Sequence, residues 1–135
     1  MPQIRELIES VGSRLSVDSA ILARAVTAVS ACEQSSAACA AGMLADKDAD
    51  SLRDAIVQNL DCADVSSTTS RLLLRGDDAQ RPLLAAQTEA CLIACRDARE
   101  QCGRHAAHRE HCRICSETAG RAAEACEELL SVLRR

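Results

Sequence analysis

The sequence predicts an all-α protein, an antiparallel up-down-up-down four-helix bundle with a short extra helix at its N-terminus. Three observations carry this. Gly and Pro are scarce, five and two among 135 residues, while Ala, Leu, Arg, Glu and Gln dominate, a composition that favours long helices over sheet. The breaks are few and well spaced: Asp46 to Asp50, the Gly76-Asp77-Asp78 turn with Pro82 just beyond, and the His-rich stretch His105 to Arg109. The links between them are short, so successive helices run antiparallel.

Residues 1–16 form an N-terminal extension in which Pro2 to Val11 is expected to be a short helix, with Ile4, Leu7, Ile8 and Val11 packing along one side. The four main helices are placed at about 17–45, 50–75, 82–105 and 109–133. Residues 1–135 then make one domain, and no low-complexity tract or second domain is visible.

Composition narrows the function. The chain has no Phe, Tyr or Trp but 9 Cys and 3 His, so its interior must be filled by Leu, Ile, Val, Ala and thiols. Charged residues at 27% and hydrophobic ones at 47% exclude a disordered chain, and no apolar run approaches the ~20 residues that span a bilayer. The opening residues carry Glu6, Glu9 and Asp18 without a continuous apolar stretch, which does not read as a signal peptide, so a cytoplasmic location is expected. A net charge of −4 and the absence of aromatic rings give no support to nucleic-acid binding, and no basic amphipathic stretch suits a membrane surface. Nothing resembles a catalytic acid/base pair or a phosphate loop, so no enzyme activity is expected. The pairs Glu127-Glu128 and Asp77-Asp78 read as solvated charge or caps.

The cysteines recur at helical spacing. Cys32 and Cys39 are seven apart, Cys91, Cys95 and Cys102 four and seven apart, and Cys112, Cys115 and Cys126 three and eleven apart. At ~100° per residue each of these steps returns to nearly the same azimuth, so each helix aims its thiols along one stripe. The same stripes carry Leu22, Val29, Ser36 and Met43; Leu52, Ala55, Ser66 and Leu73 around Cys62; Leu84 and Ala98; and Ala119, Ala122 and Leu130. A stripe that joins Leu and Val to Cys faces the core.

Buried Cys can be a small hydrophobe filling a narrow core. Nine on inward stripes point instead to metal ligation, since Ala or Val would fill the space without risk of oxidation. Disulfides are a third reading, disfavoured because thiols four apart on one helix are poorly placed to bridge and nine thiols cannot all pair. Soft thiolates select Cu(I), Zn(II) or iron–sulfur clusters. Zinc and clusters want four ligands converging on a point, usually from loops, and the sequence has one CxxC, Cys112 and Cys115. One Cu(I) per thiolate is neutral, whereas zinc with four thiolates leaves two negative charges in a dry core.

The stretch Cys91 to Cys126, CLIACRDAREQCGRHAAHREHCRICSETAGRAAEAC, resembles the Cys-rich four-helix-bundle copper storage proteins, and NLDCADV at Asn59 to Val65 resembles their second helix, especially in the cytosolic branch. The HCxxC of His111, Cys112 and Cys115 is the most specific piece. The resemblance implies a homotetramer of bundles, each holding several Cu(I) ions on inward thiolates as a store. It also matches His105 and His111 to family positions. Where family spacing would place more cysteines, this chain has Ser36, Met43, Ala55, Ser66, Ala98, Ala119 and Ala122, which implies a lower capacity.

Counting ~1.5 Å per residue from the His-rich end puts Cys39, Cys102, Cys112 and Cys115 near a loading mouth, with Met43, His105, His108 and His111 as possible mouth ligands. Cys32, Cys62 and Cys95 form a middle layer, Cys91 and Cys126 lie deeper, and Leu22, Leu73, Leu84 and Leu130 close the floor. Two other functions compete with storage. A metal-free structural or interaction bundle would lose only stability on replacement of Cys32, Cys62 and Cys95. A thiol redox sensor would need an exposed, low-pKa thiol, for which the mouth pair Cys112 and Cys115 is the place to look.

Overall fold

The computed structural model describes residues 2–135. Five α-helices follow in order: α1 (Pro2–Ser10), α2 (Ser19–Leu44), α3 (Arg53–Leu74), α4 (Arg81–His105) and α5 (Glu110–Leu133). Helices α2 to α5 form a closed square in which α2 packs on α3, α3 on α4, α4 on α5 and α5 on α2. Helix α1 lies against α2.

Each boundary has a local cause. Asp18 caps α2, its carboxylate accepting from the Ala20 N–H at 2.7 Å. A single 3-10 turn, Ala49–Leu52, turns the chain into α3, which therefore starts a little later than the sequence predicts. Helix α3 ends before Gly76, where a Cβ would come within 2.8 Å of Leu84 Cδ1, so a side chain there would displace the floor. Pro82 stands in the first turn of α4, where its missing N–H costs no helical bond.

The core has three layers along the bundle axis. At one end Leu22, Leu73, Leu84, Leu129 and Leu133 pack with Ile8 and Leu15. Above them, Cys32, Cys62, Cys91, Cys95 and Cys126 share a layer with Val29, Ala98, Ala119, Ala122 and Leu130. At the His-rich end Cys39, Cys102, Cys112 and Cys115 pack with Met43, Leu52, Ala55 and Ile56. Every position assigned to an inward stripe is buried.

Two sequence expectations are corrected. Among the described side chains of α1 only Ile8 is buried, whereas Leu7 and, just past the helix, Val11 are 47% and 60% exposed, because a helix of this length laid against the bundle buries a narrow edge. Leu130 packs in the thiol layer, and its neighbour Leu129, one residue round the helix, takes the floor position with Leu133. The floor is tied to the N-terminal segment by polar contacts. Ser16 N–H donates to Asp78 Oδ1 at 2.9 Å, and the Arg81 guanidinium donates to the carbonyls of Ser16, Val132 and Leu133. Among the described residues no helix is long and apolar enough to cross a membrane.

Candidate metal centre

All nine cysteines are free thiols and all are buried, each 0–1% exposed. This corrects the expectation of an exposed pair at Cys112 and Cys115. Those residues occupy the first turns of α5, and Met43, Leu52 and Ile56 from the α2–α3 corner cover them.

The middle layer is built by three helices. Cys32 of α2 lies 3.6 Å from Cys62 of α3 and 3.9 Å from Cys95 of α4, sulfur to sulfur. Cys95 continues to Cys91 one turn away at 3.9 Å, and Cys126 of α5 lies in the same buried cluster. In the outer layer, Cys39 is the hub, 4.0 Å from Cys102 and 3.7 Å from Cys112, with Cys115 completing a trio with Cys39 and Cys102. His111 Nδ1 lies 3.4 Å from Cys39 Sγ and 3.6 Å from Cys112 Sγ, so the imidazole joins a second trio through the same sulfur. His111 is half-buried, as is His105, and His108 is exposed. Met43 is fully buried within this outer layer rather than open at its rim.

These spacings decide the coordination chemistry. With metal–sulfur bonds of ~2.3 Å, three ligands around one ion stand about 4 Å apart. Three trios fit, Cys32-Cys62-Cys95, Cys39-Cys102-Cys115 and Cys39-His111-Cys112, their ligand atoms mutually within 4.8 Å. Among the described residues no four ligands converge. Closed tetrahedral zinc sites therefore lack their fourth donor, while two- and three-coordinate soft ions that share a sulfur such as Cys39 are accommodated.

The thiols divide the ionisation among themselves. Cys62 is held well below the ordinary thiol value by the neighbouring Cys32 and Cys95 thiols, and the same proximity pushes Cys32 up to about 12 and Cys95 up. Cys102 is lowered by Cys115 and Cys39, and Cys91 by Cys126 and Cys95. Their neighbours Cys39, Cys115 and Cys126 are raised, and burial raises Cys112. The lowered thiols are Cys62 and Cys91 in the middle layer and Cys102 in the outer one, each beside raised neighbours.

Three residues outside the sequence-predicted set shape the site. Asn59 is fully buried between the layers. Its amide N–H donates to Cys102 Sγ at 3.2 Å and to the Ala55 carbonyl at 2.9 Å, and its Oδ1 accepts from the Cys115 thiol at 3.0 Å. Gly42 makes room for His111, since a Cβ there would stand 3.2 Å from the imidazole ring. Asp46, just past α2, accepts from Arg109 Nε at 2.8 Å and ties the α2 terminus to the start of α5 beside His111. Asn59 lies four residues after Ala55 and three before Cys62, on the inward stripe, which is the signal that marks it.

The sequence profile of the copper storage proteins matches residues 18–131. The chain belongs to the copper storage protein family. Its fold is similar to that of Ccsp from Streptomyces lividans loaded with 10 copper equivalents, at 34% identity and a TM-score of 0.89 over 95% of this chain and 98% of that one. A five-copper form of the same cytosolic copper storage protein matches with 33% identity and a TM-score of 0.80, over 82% of this chain and 92% of that one. A single histidine-to-alanine variant of it matches at 34% identity and TM-score 0.84, over 87% and 98%. No match is found among curated protein sequences. This family stores copper in Cys-rich helical bundles, as the sulfur stripes here foretell.

Proposed function

We propose that this protein is a cytosolic Cu(I) store that binds several ions per chain on Cys32, Cys39, Cys62, Cys91, Cys95, Cys102, Cys112, Cys115 and Cys126, with His111 at the point of loading. The observation that carries the reading is the set of three ligand trios, their atoms mutually within 4.8 Å and their nearest sulfurs 3.6–4.0 Å apart, on buried cysteines. Thiolates there neutralise one Cu(I) each, and sharing of Cys39 between trios lets ions lie close together.

The related Streptomyces lividans protein carries five and ten coppers in its loaded forms and is described as cytosolic, which supports both the cargo and the location proposed here. His105 takes a secondary place at the mouth, Met43 a buried one within the outer layer, and His108 is a solvated turn residue. The protein holds and releases ions without transforming a substrate. It works as a homo-oligomer of one-domain bundles, a tetramer by family likeness, for which the exposed Val57, Leu60 and Ile93 supply apolar surface.

The test is copper capacity after replacing Cys32, Cys62 and Cys95 together by Ala. The storage reading expects a loss of equivalents held against a competing chelator, with helicity kept. Unchanged capacity would leave these thiols as packing alone.

A further inference from the structure

The outer and middle thiols do not form one continuous column. Within the outer group sulfur passes to sulfur at 3.7–4.0 Å, and within the inner group at 3.6–3.9 Å. The junction between them has no thiol: Ser36 of α2 stands there, with Asn59 of α3 against the outer thiols, both 0% exposed. The contact across it is the Ser36 hydroxyl, 3.7 Å from Cys32 Sγ on the inner side and 3.8 Å from Cys115 Sγ on the outer. No metal-competent trio of the described residues mixes the two groups.

Ser66 provides an internal contrast. Its hydroxyl also lies between two thiols, 3.9 Å from Cys62 and 3.9 Å from Cys91. There, however, Cys91 and Cys95 are in direct contact, so sulfur bypasses the hydroxyl.

Cu(I) moves between thiolates when an incoming sulfur binds before the outgoing one leaves, which contacts near 4 Å permit. A serine hydroxyl is a hard, protonated oxygen and a poor partner for that exchange. The leucine floor closes the opposite end of the inner group.

We infer that Ser36 divides the store into two pools, an outer one that exchanges quickly through the His111 mouth and an inner one, of Cys32, Cys62, Cys91, Cys95 and Cys126, that fills and empties slowly across the Ser36 layer. This rests on the Cu(I) storage reading. It gives the chain a buffer and a reserve in one bundle.

The experiment loads reduced protein anaerobically to saturation with Cu(I) and follows removal by excess chromogenic chelator in a stopped-flow instrument, for the wild type, Ser36→Cys and Ser66→Cys. The wild type should release copper in two phases at least about tenfold apart in rate. Ser36→Cys should merge them by accelerating the slow phase, and Ser66→Cys should keep both. A second readout uses the wild type alone: after brief exposure to a few equivalents of Cu(I), alkylation and peptide mass spectrometry should find Cys39, Cys102, Cys112 and Cys115 protected before Cys32, Cys62 and Cys95. Single-phase release at full capacity, uniform protection, or a slow phase untouched by Ser36→Cys overturns the division while leaving storage intact. Failure of the wild type to hold Cu(I) at all overturns storage and the division together.

Discussion

Replacing Asn59 by Ala should destabilise the reduced, metal-free protein by about 2–3 kcal/mol. The amide is 0% exposed and makes bonds to Ala55, Cys102 and Cys115. A buried intramolecular hydrogen bond contributes about 0.5–1.5 kcal/mol net. The Ala55 carbonyl keeps its helical partner, and thiols are weak donors, so the three bonds together are worth roughly 1.5–2 kcal/mol. The void left by the amide adds under about 1 kcal/mol at ~24 cal/mol per Å³. The assay is urea unfolding under reductant followed by far-UV circular dichroism, which needs no aromatic chromophore. With m of roughly 1–3 kcal/mol/M, the midpoint should fall by about 1 M. In the copper-loaded form the loss should shrink, because metal-bound thiolates no longer donate to Asn59 Oδ1. A loss below about 0.5 kcal/mol in the metal-free protein would refute the view that Asn59 organises the outer thiols.

Other outcomes follow from the same geometry. Gly42→Ala puts a methyl within 3.2 Å of the His111 ring, so the ring must tilt away from Cys39, and copper loading measured by stopped flow should slow while final capacity is kept. Copper affinity should fall in acid, because the raised thiols Cys32, Cys39, Cys95, Cys112, Cys115 and Cys126 give up protons to bind; proton release, read by an indicator dye, should accompany loading at neutral pH, and a flat affinity between about pH 5 and 8 would contradict it. Arg109 holds the Asp46 carboxyl down at about 2, so that pair stabilises the fold above about pH 4 and ceases to as pH falls toward 2; an acid-unfolding comparison should show Asp46→Asn less stable at pH 6 and level with the wild type at pH 2. Leu84→Ala opens the floor and should cost about 2–5 kcal/mol in the same urea assay.

Much of this architecture was legible because helix breakers are rare and the thiols recur at helical steps, so the burial of Leu22, Val29, Ser36 and Met43 on one stripe follows from periodicity alone. The layering of Cys39, Cys102, Cys112 and Cys115 apart from Cys32, Cys62 and Cys95 follows from rise per residue once the helices are antiparallel. What escaped depended on contacts between helices. Asn59 is a polar residue whose burial makes sense only beside two thiols from other helices. Gly42 earns its place from the ring of His111, a residue 69 positions away in the chain. Leu7 and Val11 satisfy a helical stripe, yet a one-sided terminal helix meets too little of the bundle to bury them. The Cys112-Cys115 pair is buried with Met43, Leu52 and Ile56 from the two ends that flank the α2–α3 corner, a contact between distant segments that no local pattern encodes.

The central claim is that the interior thiols hold copper, and an anaerobic titration of the reduced protein with Cu(I) against a competing chromogenic chelator tests it most directly. The account predicts several equivalents per chain withheld from the chelator before any colour develops. Colour from the first addition, with the helical signal intact, would contradict it.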